Sequence, residues 1–370
     1  MLERIFLKGY KSFRELDLTL APINVLIGAN GSGKSNLISL FKMLNRMMDE
    51  QLQIYVAQSG GADQILHYGR KTTEKLIVEL WFRRSEHLAN GYVCHLIPAE
   101  DRLLLAHEST HSHDRSRYPD RPYQSRMHDG VFEESQLSRW ARNDAGVPRY
   151  VYDALRSWQL YHFHDTSESA RVKQMGDLGD NLFLRPDAAN LAAYLYLVRD
   201  QHPQHYETIV ETIRLAAPFF GDFILRPNPF NPEKIRLEWR ERFSDALFGP
   251  NVLSDGTLRF ICLTTLFLQP PSKLPTTIIL DEPELGLHPY AITLLAEMVK
   301  SVAEHTQVIL ATQSVSLINQ FEPEQILVVD RVEGISTVRR LDAAAIEHWL
   351  EEYSLGDLWE KNVLGGRPAL

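Results

Sequence analysis

One stretch of eleven residues, LIGANGSGKSN (residues 26–36), has the residue types and spacing needed to bind phosphate. It fits the pattern G-x-x-x-x-G-K-[ST], with Gly28, Gly33, Lys34 and Ser35 in register. In this pattern the backbone N–H groups of a glycine-rich loop surround phosphate oxygens, the lysine reaches the β- and γ-phosphates, and the hydroxyl holds Mg²⁺. The stretch therefore predicts a nucleoside triphosphate site.

A second segment, TTIILDEPELGLHP (residues 276–289), supplies paired carboxylates. Its apolar half predicts a buried strand that ends in Asp281 and Glu282. A carboxylate at the C-terminal end of a parallel strand can hold Mg²⁺, and its neighbour can deprotonate an attacking water. An acidic pair at a strand end is equally typical of a solvated turn or a helix cap without catalytic function. The phosphate loop in the same chain favours the catalytic interpretation.

A third segment, LSDGTLRF (residues 253–260), precedes the acidic pair and stands just before a predicted helix. At a helix N-terminus the Ser254 side chain and the Gly256 backbone N–H can bind an anion, because free N–H groups and the helix dipole both favour negative charge. A helix cap followed by a turn glycine is the simpler alternative. The order of the three segments favours anion binding.

The elements that must position these residues alternate along the chain. INVLI (residues 23–27) predicts a short buried strand that leads into the phosphate loop, and apolar residues from Leu37 onward share one helix face. The last third alternates strands and helices, which is typical of an α/β core with a largely parallel sheet. Residues 107–150 are polar and rich in His and Arg, and they predict a long surface excursion.

The composition restricts the class of protein. The 370 residues are 44% hydrophobic and 24% charged, which is ordinary for a globular protein with a core. The net charge of −9 excludes a uniformly basic nucleic-acid binder but not a local basic groove. Cys94 and Cys262 stand far apart without a C-x-x-C neighbour, so neither a disulfide framework nor a zinc site is indicated. We find no signal peptide or membrane-length apolar run, which predicts a cytoplasmic protein without membrane contact.

Four segments resemble the RecF/SMC/OLD-type ABC ATPases, and more closely their stand-alone AAA family ATPase branch of about this length. The segments are LKGYKSFRELDLTLAPINVLIGANGSGKSNLI, LSDGTLRFICLTTLFL, TTIILDEPELGLHPYAITLLAEMV and QVILATQSVSLINQF. The closing YSLGDLWEKNVLGGRP is similar to the tail of that branch. The resemblance implies an ABC-type P-loop ATPase head, which is an α/β fold with a mostly parallel sheet, an antiparallel β subdomain and an inserted helical region.

Pattern and resemblance together divide the chain into four expected parts. Residues 1–106 would form a first ATPase lobe, and residues 107–218 an inserted, partly helical region. Residues 219–341 would form a second lobe with the signature and the acidic pair, and residues 342–370 a helical C-terminal tail. The resemblance is weakest over residues 107–150.

The resemblance also implies roles for individual residues. The residues assigned to phosphates are Gly28, Asn30, Gly31, Ser32, Gly33, Lys34, Ser35 and Asn36. The residues assigned to adenine or ribose are Lys11, Ser12 and Phe13, which fit a core strand equally well. Asp281 would join Ser35 at the metal, and Glu282 would be the catalytic carboxylate.

In this family the signature motif closes over the γ-phosphate held by a second protomer, which implies a homodimer that forms on ATP binding. The signature residues are Ser254, Asp255 and Gly256, of which Asp255 departs from the transporter consensus LSGGQ. His288 stands in the segment that would cross the dimer interface, and it also fits a helix cap before Pro289.

Two positions depart from the family pattern. Gln313 stands where the family has a switch histidine and is the second candidate catalytic residue. Glutamine can donate a hydrogen bond to a γ-phosphate but cannot take up a proton. No glutamine stands at the Q-loop position, which His164, Asp165 or Thr166 occupies. A strand-end turn is favoured there over a Mg²⁺ ligand.

The resemblance implies an ATP-dependent dimeric switch that converts ATP and water to ADP and phosphate with Mg²⁺. Relatives of this kind serve in DNA repair or phage defence, often beside a companion protein that is sometimes nuclease-like. An ABC transporter motor is the alternative. A structural SMC-like linker is disfavoured because the sequence has no heptad arm.

Two groups of side chains suggest further ligands. The candidate contacts to double-stranded DNA are Arg70, Lys71, Arg115, Arg117, Arg121 and Arg126, all of which also fit solvated loop charges. Three histidines, His107, His111 and His113, suggest a metal site. Because no cysteine or HExxH helix accompanies them, a solvated loop is favoured.

Overall fold

The computed structural model describes residues 1–119 and 121–366. The strands are β1 (Leu2–Tyr10), β2 (Phe13–Thr19), β3 (Ile23–Ile27), β4 (Leu76–Arg83), β5 (Leu88–Ala99), β6 (Arg102–Asp114), β7 (Tyr123–Phe132), β8 (Gln159–Tyr161), β9 (Gly176–Asp177), β10 (Phe220–Phe223), β11 (Pro227–Asn228), β12 (Asn231–Ile235), β13 (Trp239–Glu241), β14 (Leu247–Phe248), β15 (Thr277–Asp281), β16 (Gln307–Thr312), β17 (Ile326–Val332) and β18 (Ile335–Arg340). The helices are α1 (Lys34–Met48), α2 (Leu52–Gln58), α3 (Ala62–Ile65), α4 (Leu137–Asn143), α5 (Val147–Ser157), α6 (Leu191–Gln201), α7 (Pro203–Ala216), α8 (Asp255–Leu268), α9 (Pro289–Val302), α10 (Val315–Ile318), α11 (Ala343–Leu350) and α12 (Leu355–Glu360).

Six strands form a central sheet in the order β18-β17-β3-β16-β15-β8. Its neighbours are parallel except for the β17–β18 pair. β3 and β16 are buried along their whole length, which explains why their sequences are mostly apolar. The register pairs Thr312 with Ile27 and Ala311 with Asp281. The phosphate loop, the acidic pair and residue 313 therefore leave the same edge of the sheet.

A second six-stranded sheet, in the order β2-β1-β4-β5-β6-β7, is antiparallel. One core cluster joins this sheet to α1, α2, α5 and one face of the central sheet. A second cluster joins the opposite face to α6, α7, α8, α9 and the C-terminal tail. The α/β architecture with a mostly parallel sheet and an antiparallel β subdomain is as the sequence predicts.

The expected surface excursion over residues 107–150 is wrong. β6 and β7 extend the antiparallel sheet there, and α4 and α5 follow. The expected boundary at residue 107 falls inside β6, and β8 of the supposed insertion belongs to the central sheet. The sequence of β7 shows no regular apolar alternation because the strand has no buried residue, although its backbone pairs with β6.

A buried carboxylate on β6 connects this strand to the segment before α4. Glu108 of β6 accepts hydrogen bonds from Tyr92 Oη at 2.7 Å, Ser135 Oγ at 2.5 Å and Gln136 N at 2.7 Å. Burial raises the pKa of Glu108, and the three donors offset part of that cost. The hydrogen bonds tie β6 to the start of α4.

The C-terminal tail contains α11 and α12, as its sequence predicts, and α12 packs against α10. Its last residues, 367–370, lie outside the described part of the chain. None of the described helices is both long enough and apolar enough to cross a membrane.

Candidate nucleotide-binding and hydrolysis site

A cavity of about 490 Å³ opens at the C-terminal edge of the central sheet. Its lining residues are Ala29, Asn30, Gly31, Gly33, Lys34, Ser35, Asn36, Asp281, Glu282, Gln313 and Arg331. Nine of these were predicted from the sequence, and the cavity brings the phosphate loop, the acidic pair and Gln313 together. Predicted loop residues Gly28 and Ser32 do not line it.

Lys34 is the first residue of α1 and lies within the phosphate loop. Its ammonium donates to the Gly28 carbonyl at 2.5 Å and to the Ala29 carbonyl at 3.1 Å. Burial lowers the pKa of Lys34, while Asp281 and Glu282 oppose the shift. The ammonium is thus a cation held close to two carboxylates at a helix N-terminus, where an anion is favoured.

The acidic pair ends β15. Asp281 is half-buried, and burial together with the adjacent Glu282 raises its pKa, whereas His164 and Lys34 lower it. Glu282 has a left-handed backbone with φ of 45°, and its N–H donates to the Ala311 carbonyl at 2.7 Å. The bond to β16 fixes the turn that directs the two carboxylates into the cavity.

Gln313 connects the acidic pair to the phosphate loop. Its Nε2 donates to Glu282 Oε1 at 2.9 Å and to Asn30 Oδ1 at 2.6 Å. The residue directly follows β16, so the sheet register places it between the other two loops. A single amide group therefore orients the candidate base toward the phosphate loop.

The residues present suit Mg²⁺. The Ser35 hydroxyl and the Asp281 carboxylate line the same cavity, and both are hard oxygen donors of the kind that Mg²⁺ prefers. Burial and then the adjacent Glu282 charge raise the pKa of Asp281, and a bound divalent cation would favour its ionised form. No cluster of three His, Cys, Asp or Glu suited to a metal exists in the described ranges.

The sequence interpretation missed three residues around this cavity. Glu284 is buried, its Oε1 accepts from Thr312 Oγ1 at 2.5 Å, and burial raises its pKa. From the β17–β18 hairpin, Arg331 donates to the Gly31 carbonyl at 3.2 Å and Ser336 to the Ser32 carbonyl at 2.5 Å. The second glutamate of DEPE was a visible signal for Glu284, but neither hairpin residue belongs to a motif.

The signature residues lie outside this cavity. Ser254 is exposed, caps α8 and accepts a hydrogen bond from Thr257 N at 3.2 Å. A Cβ on Gly256 would collide with the Gly286 carbonyl oxygen, so the start of α8 packs directly on the loop after the acidic pair. His288 caps α9 by accepting a hydrogen bond from Tyr290 N at 3.4 Å. Both helix-cap interpretations hold in this chain.

Arg259 joins the signature helix to the nucleotide cavity, a contact that no motif predicted. Its guanidinium donates to the carbonyls of Phe163 at 3.2 Å, His164 at 2.9 Å and Leu285 at 2.7 Å. His164 is one of the residues at the Q-loop position, and Phe163 directly precedes it. Asp165 accepts from Ser167 N and Oγ, which is the favoured strand-end turn.

The candidate adenine contacts lie at the turn from β1 to β2. Phe13 is completely buried in the core, as its alternative interpretation expects. Ser12 Oγ accepts from Asn36 Nδ2 at 2.7 Å, and Lys11 donates to Ser39 Oγ at 2.8 Å. None of the three lines the cavity, so a contact of Lys11 or Ser12 with adenine or ribose stays a prediction.

Most candidate DNA contacts have acidic partners. Arg70 pairs with Asp63 at 3.2 Å and Asp101 at 3.1 Å. The other ion pairs are Arg115–Glu3 at 2.6 Å, Arg117–Asp114 at 3.7 Å and Arg126–Asp144 at 3.5 Å. Within the described residues, Lys71 and Arg121 have no such partner.

The three histidines expected on a solvated loop, His107, His111 and His113, lie on strand β6. His107 Nδ1 lies 2.7 Å from Asp129 Oδ1, and its Nε2 lies 2.9 Å from Ser109 Oγ. Ser109 Oγ lies 3.0 Å from His111 Nε2. This hydrogen-bonded row on β6 replaces the favoured solvated loop, and the metal alternative finds no ligand set within the described ranges.

Three kinds of likeness to known proteins accompany this geometry. A family described as "AAA domain, putative AbiEii toxin, Type IV TA system" matches residues 23–79 and 97–319. The "OLD nuclease" of Thermus scotoductus is 23% identical over 413 aligned positions, covering 100% of this chain and 71% of that protein.

Solved structures of similar fold are SMC heads. An SMC head bound to the C-winged helix domain of ScpA has a TM-score of 0.61 at 14% identity and covers 93% of this chain and 99% of its own. A second SMC head, with an extended coiled coil and bound to a ScpA C-terminal domain derived from Pyrococcus furiosus, has a TM-score of 0.57 at 15% identity. The match covers 95% of this chain and 99% of that chain. These likenesses confirm the predicted head fold.

Proposed function

Because the chain belongs to the family of AAA domains described as a putative AbiEii toxin of a type IV TA system, we propose that it binds ATP with Mg²⁺ and hydrolyses it. The observation that carries the proposal is the single cavity that contains Lys34, Asp281, Glu282 and Gln313. Each supplies a different requirement of phosphoryl transfer to water, namely a cation, a metal ligand, a base and an orienting amide.

The phosphate loop and α1 bind the triphosphate. Backbone N–H groups of the loop and the positive end of a 15-residue helix face the cavity, and Lys34 adds a full positive charge. Ser35 and Asp281 would hold Mg²⁺, which offsets the phosphate charge when bound. These groups hold the terminal phosphate beside the acidic pair.

Glu282 accepts the proton of the attacking water. The water oxygen forms a bond to the γ-phosphorus while the bond from that phosphorus to the β–γ bridging oxygen breaks, and the leaving ADP takes the electron pair. Gln313 fixes one carboxylate oxygen of Glu282 at 2.9 Å, which leaves the other for the water. Glu284 stays buried behind this pair and is bonded to Thr312.

Substitution of the base separates binding from turnover. We expect Glu282→Gln to retain ATP binding and to lower kcat by about 10²- to 10⁴-fold, because an amide cannot accept the proton. Lys34→Ala should weaken ATP binding by about 100-fold by removing the charged donor. Calorimetric titration with ATP and phosphate release by purified protein measure both effects.

The matched control is Glu297→Gln on the exposed face of α9, where the same change removes only an ion pair to Lys300. This variant should turn over ATP at the wild-type rate. Wild-type turnover by Glu282→Gln would show that another group is the base, and absence of ATP binding by the wild-type chain would contradict the proposal as a whole.

The switch is proposed to act as a homodimer with two shared sites. Support comes from the signature, because Ser254 is exposed at the start of a 14-residue helix and does not line its own chain's cavity. A second copy could bring that helix N-terminus to the γ-phosphate, where negative charge is favoured.

The proposed task is DNA repair or phage defence together with a nuclease-like partner. Support comes from the likeness to a protein named OLD nuclease and from the family's description as a putative toxin. The likenesses to an OLD nuclease and to SMC heads favour this task over a transporter motor.

A further inference from the structure

The end of the described chain lies against the phosphate loop. We call residues 354–366 the C-terminal brace; it comprises α12 and the following turn. Leu358 and Leu364 of the brace are buried in the same core cluster as β3 and β16. The brace is therefore a packed part of the fold and not a loose end.

Gly366 makes the direct contact. Its carbonyl oxygen accepts a hydrogen bond from Ala29 N at 2.5 Å, and its own N–H donates to Asp330 Oδ1 at 2.5 Å. The Ala29 carbonyl accepts from the Lys34 ammonium at 3.1 Å. One residue of the phosphate loop is thus held on one side by the brace and on the other by the lysine that faces the cavity.

The local backbone requires glycine. Gly365 and Gly366 have φ values of 77° and 81°, in the left-handed region that side chains disfavour. A Cβ on Gly366 would lie 3.3 Å from Gly28 Cα and 3.2 Å from Val328 Cγ1. A Cβ on Gly365 would instead meet the ends of the Asp330 and Arg339 side chains. Only Gly366 therefore approaches the backbone of the phosphate loop.

The other end of the brace contacts the segment that follows Gln313. Gly356 N donates to Asn319 Oδ1 at 2.6 Å, at the end of α10. A Cβ on Gly356 would collide with Val315 at the start of α10. α10 begins two residues after Gln313, so one continuous segment contacts both the phosphate loop and the short helix that follows Gln313.

We propose that the C-terminal brace holds the phosphate loop in its nucleotide-binding shape, with Gly366 as a positioning residue. The inference rests on the proposed ATP site and extends it to a segment more than 300 positions away in sequence. Without the Gly366 carbonyl, Ala29 N loses its partner and the first turn of the loop is free to rotate. The N–H groups that face phosphate would then no longer converge.

Gly366→Ala tests the proposal, with Gly61→Ala as a control. Gly61 has a left-handed backbone with φ of 90°, and the nearest atoms to its Cβ would be those of Asp101 at 3.5 Å or more. We measure ATP affinity by calorimetry in the Glu282→Gln background, and the thermal unfolding midpoint of each variant. Gly366→Ala should weaken ATP binding about tenfold, and Gly61→Ala by less than about threefold, at similar unfolding midpoints. Equal losses of affinity in the two variants, or an unchanged affinity in folded Gly366→Ala, would contradict the proposal.

Asp330 provides an independent route if Gly366→Ala does not fold. Asp330→Ala removes the acceptor that anchors Gly366, whereas Asp330→Asn keeps an acceptor oxygen at that position. Weaker ATP binding in Asp330→Ala, restored in Asp330→Asn, supports the brace, and equal affinities contradict it. A chain with wild-type Gly366 and Asp330 that binds no ATP instead contradicts the proposed function and the brace together.

Discussion

Gln313 is the residue where this chain departs most informatively from the family it resembles. Its amide joins Glu282 to Asn30, so it occupies a position from which a γ-phosphate could also be reached. An amide donates without changing charge between pH 5 and 9, whereas a histidine titrates near pH 6.5. If residue 313 acts at the γ-phosphate as we propose, glutamine supplies a hydrogen bond there whose charge does not depend on pH.

Restoring histidine should introduce pH dependence. We expect the kcat of Gln313→His, relative to wild type, to rise as pH falls through about 6.5, because the imidazolium adds positive charge beside the transferring phosphate. Gln313→Ala should lower kcat about tenfold at all pH values by freeing Glu282. Phosphate release measured from pH 5.5 to 8.5 gives the three profiles.

The control is Gln320→His, the same exchange beyond α10, where the amide donates only to the Ser316 carbonyl. Its profile should match that of wild type. If Gln313→His and Gln320→His behave alike, residue 313 does not face the reacting phosphate.

Residues within motifs could be predicted, and residues that only adjoin them could not. Spacing alone identified Lys34 and Glu282, because the chemistry of phosphate binding fixes residue type and order. Arg259 and Arg331 reach the site by carbonyl contacts from a distant helix and hairpin, and such contacts leave no pattern in sequence. For Phe13 the sequence left two interpretations open, because a core aromatic and a base-stacking aromatic look the same in sequence, and the side chain is buried in the core.

At the scale of elements, burial on both faces made the central strands predictable. β3 and β16 are mostly apolar runs that lead into loops with recognisable motifs, and the two strands pair in parallel register. β6 and β7 were missed because the outer strand of an antiparallel sheet is solvated and its sequence need not alternate. Their position is fixed by tertiary bonds such as Glu108 to Ser135, which sequence reasoning cannot anticipate.

The arrangement of elements also explains how two distant motifs can communicate. Arg259 of α8 holds the Q-loop position and the loop after the acidic pair at once. The start of α8 packs on Gly286, so movement of the signature helix must displace the loop that follows Glu282. If a dimer closes on the partner's nucleotide, the movement of α8 would in this way shift the chain's own Glu282.

At the scale of the whole molecule, the exposed signature predicts a dimer that depends on ATP. Glu282→Gln with ATP and Mg²⁺ should sediment as a dimer, and without nucleotide as a monomer. Adding Ser254→Arg should prevent dimerisation, because the new cation adds bulk and repels the partner's Lys34 across the interface. Analytical ultracentrifugation at several concentrations measures the effect.

Ser116→Arg makes the same change on the exposed turn between β6 and β7 and should leave dimerisation intact. A monomer in both nucleotide states, with Mg²⁺ present, would contradict the shared site while leaving ATP binding by each chain untouched.

The charge of the whole chain predicts weak nucleic-acid binding that depends on salt and ATP. The net charge of −9 opposes strong binding, and the candidate cations Arg70, Arg115 and Arg126 already pair with acids. If about three contacts form in the closed dimer, raising salt fourfold should weaken binding to double-stranded DNA about 40-fold. Gel-shift titrations of Glu282→Gln at two salt concentrations, with and without ATP, measure this.

Lys71 and Arg121 are the candidates without an acidic partner within the described residues. Reversal of their charge should therefore weaken DNA binding more than reversal at the paired arginines. The double variant Lys71→Glu, Arg121→Glu should lose the ATP-dependent shift and flatten its salt dependence, because each lost phosphate contact lowers the slope by about one. The control is the charge reversal Lys300→Glu on α9, where the lysine pairs with Glu297. This variant should retain the ATP-dependent shift and the salt dependence of DNA binding. If neither the chain nor a co-purifying protein shifts DNA in any nucleotide state, the proposed DNA task fails and the dimeric ATPase switch stands alone.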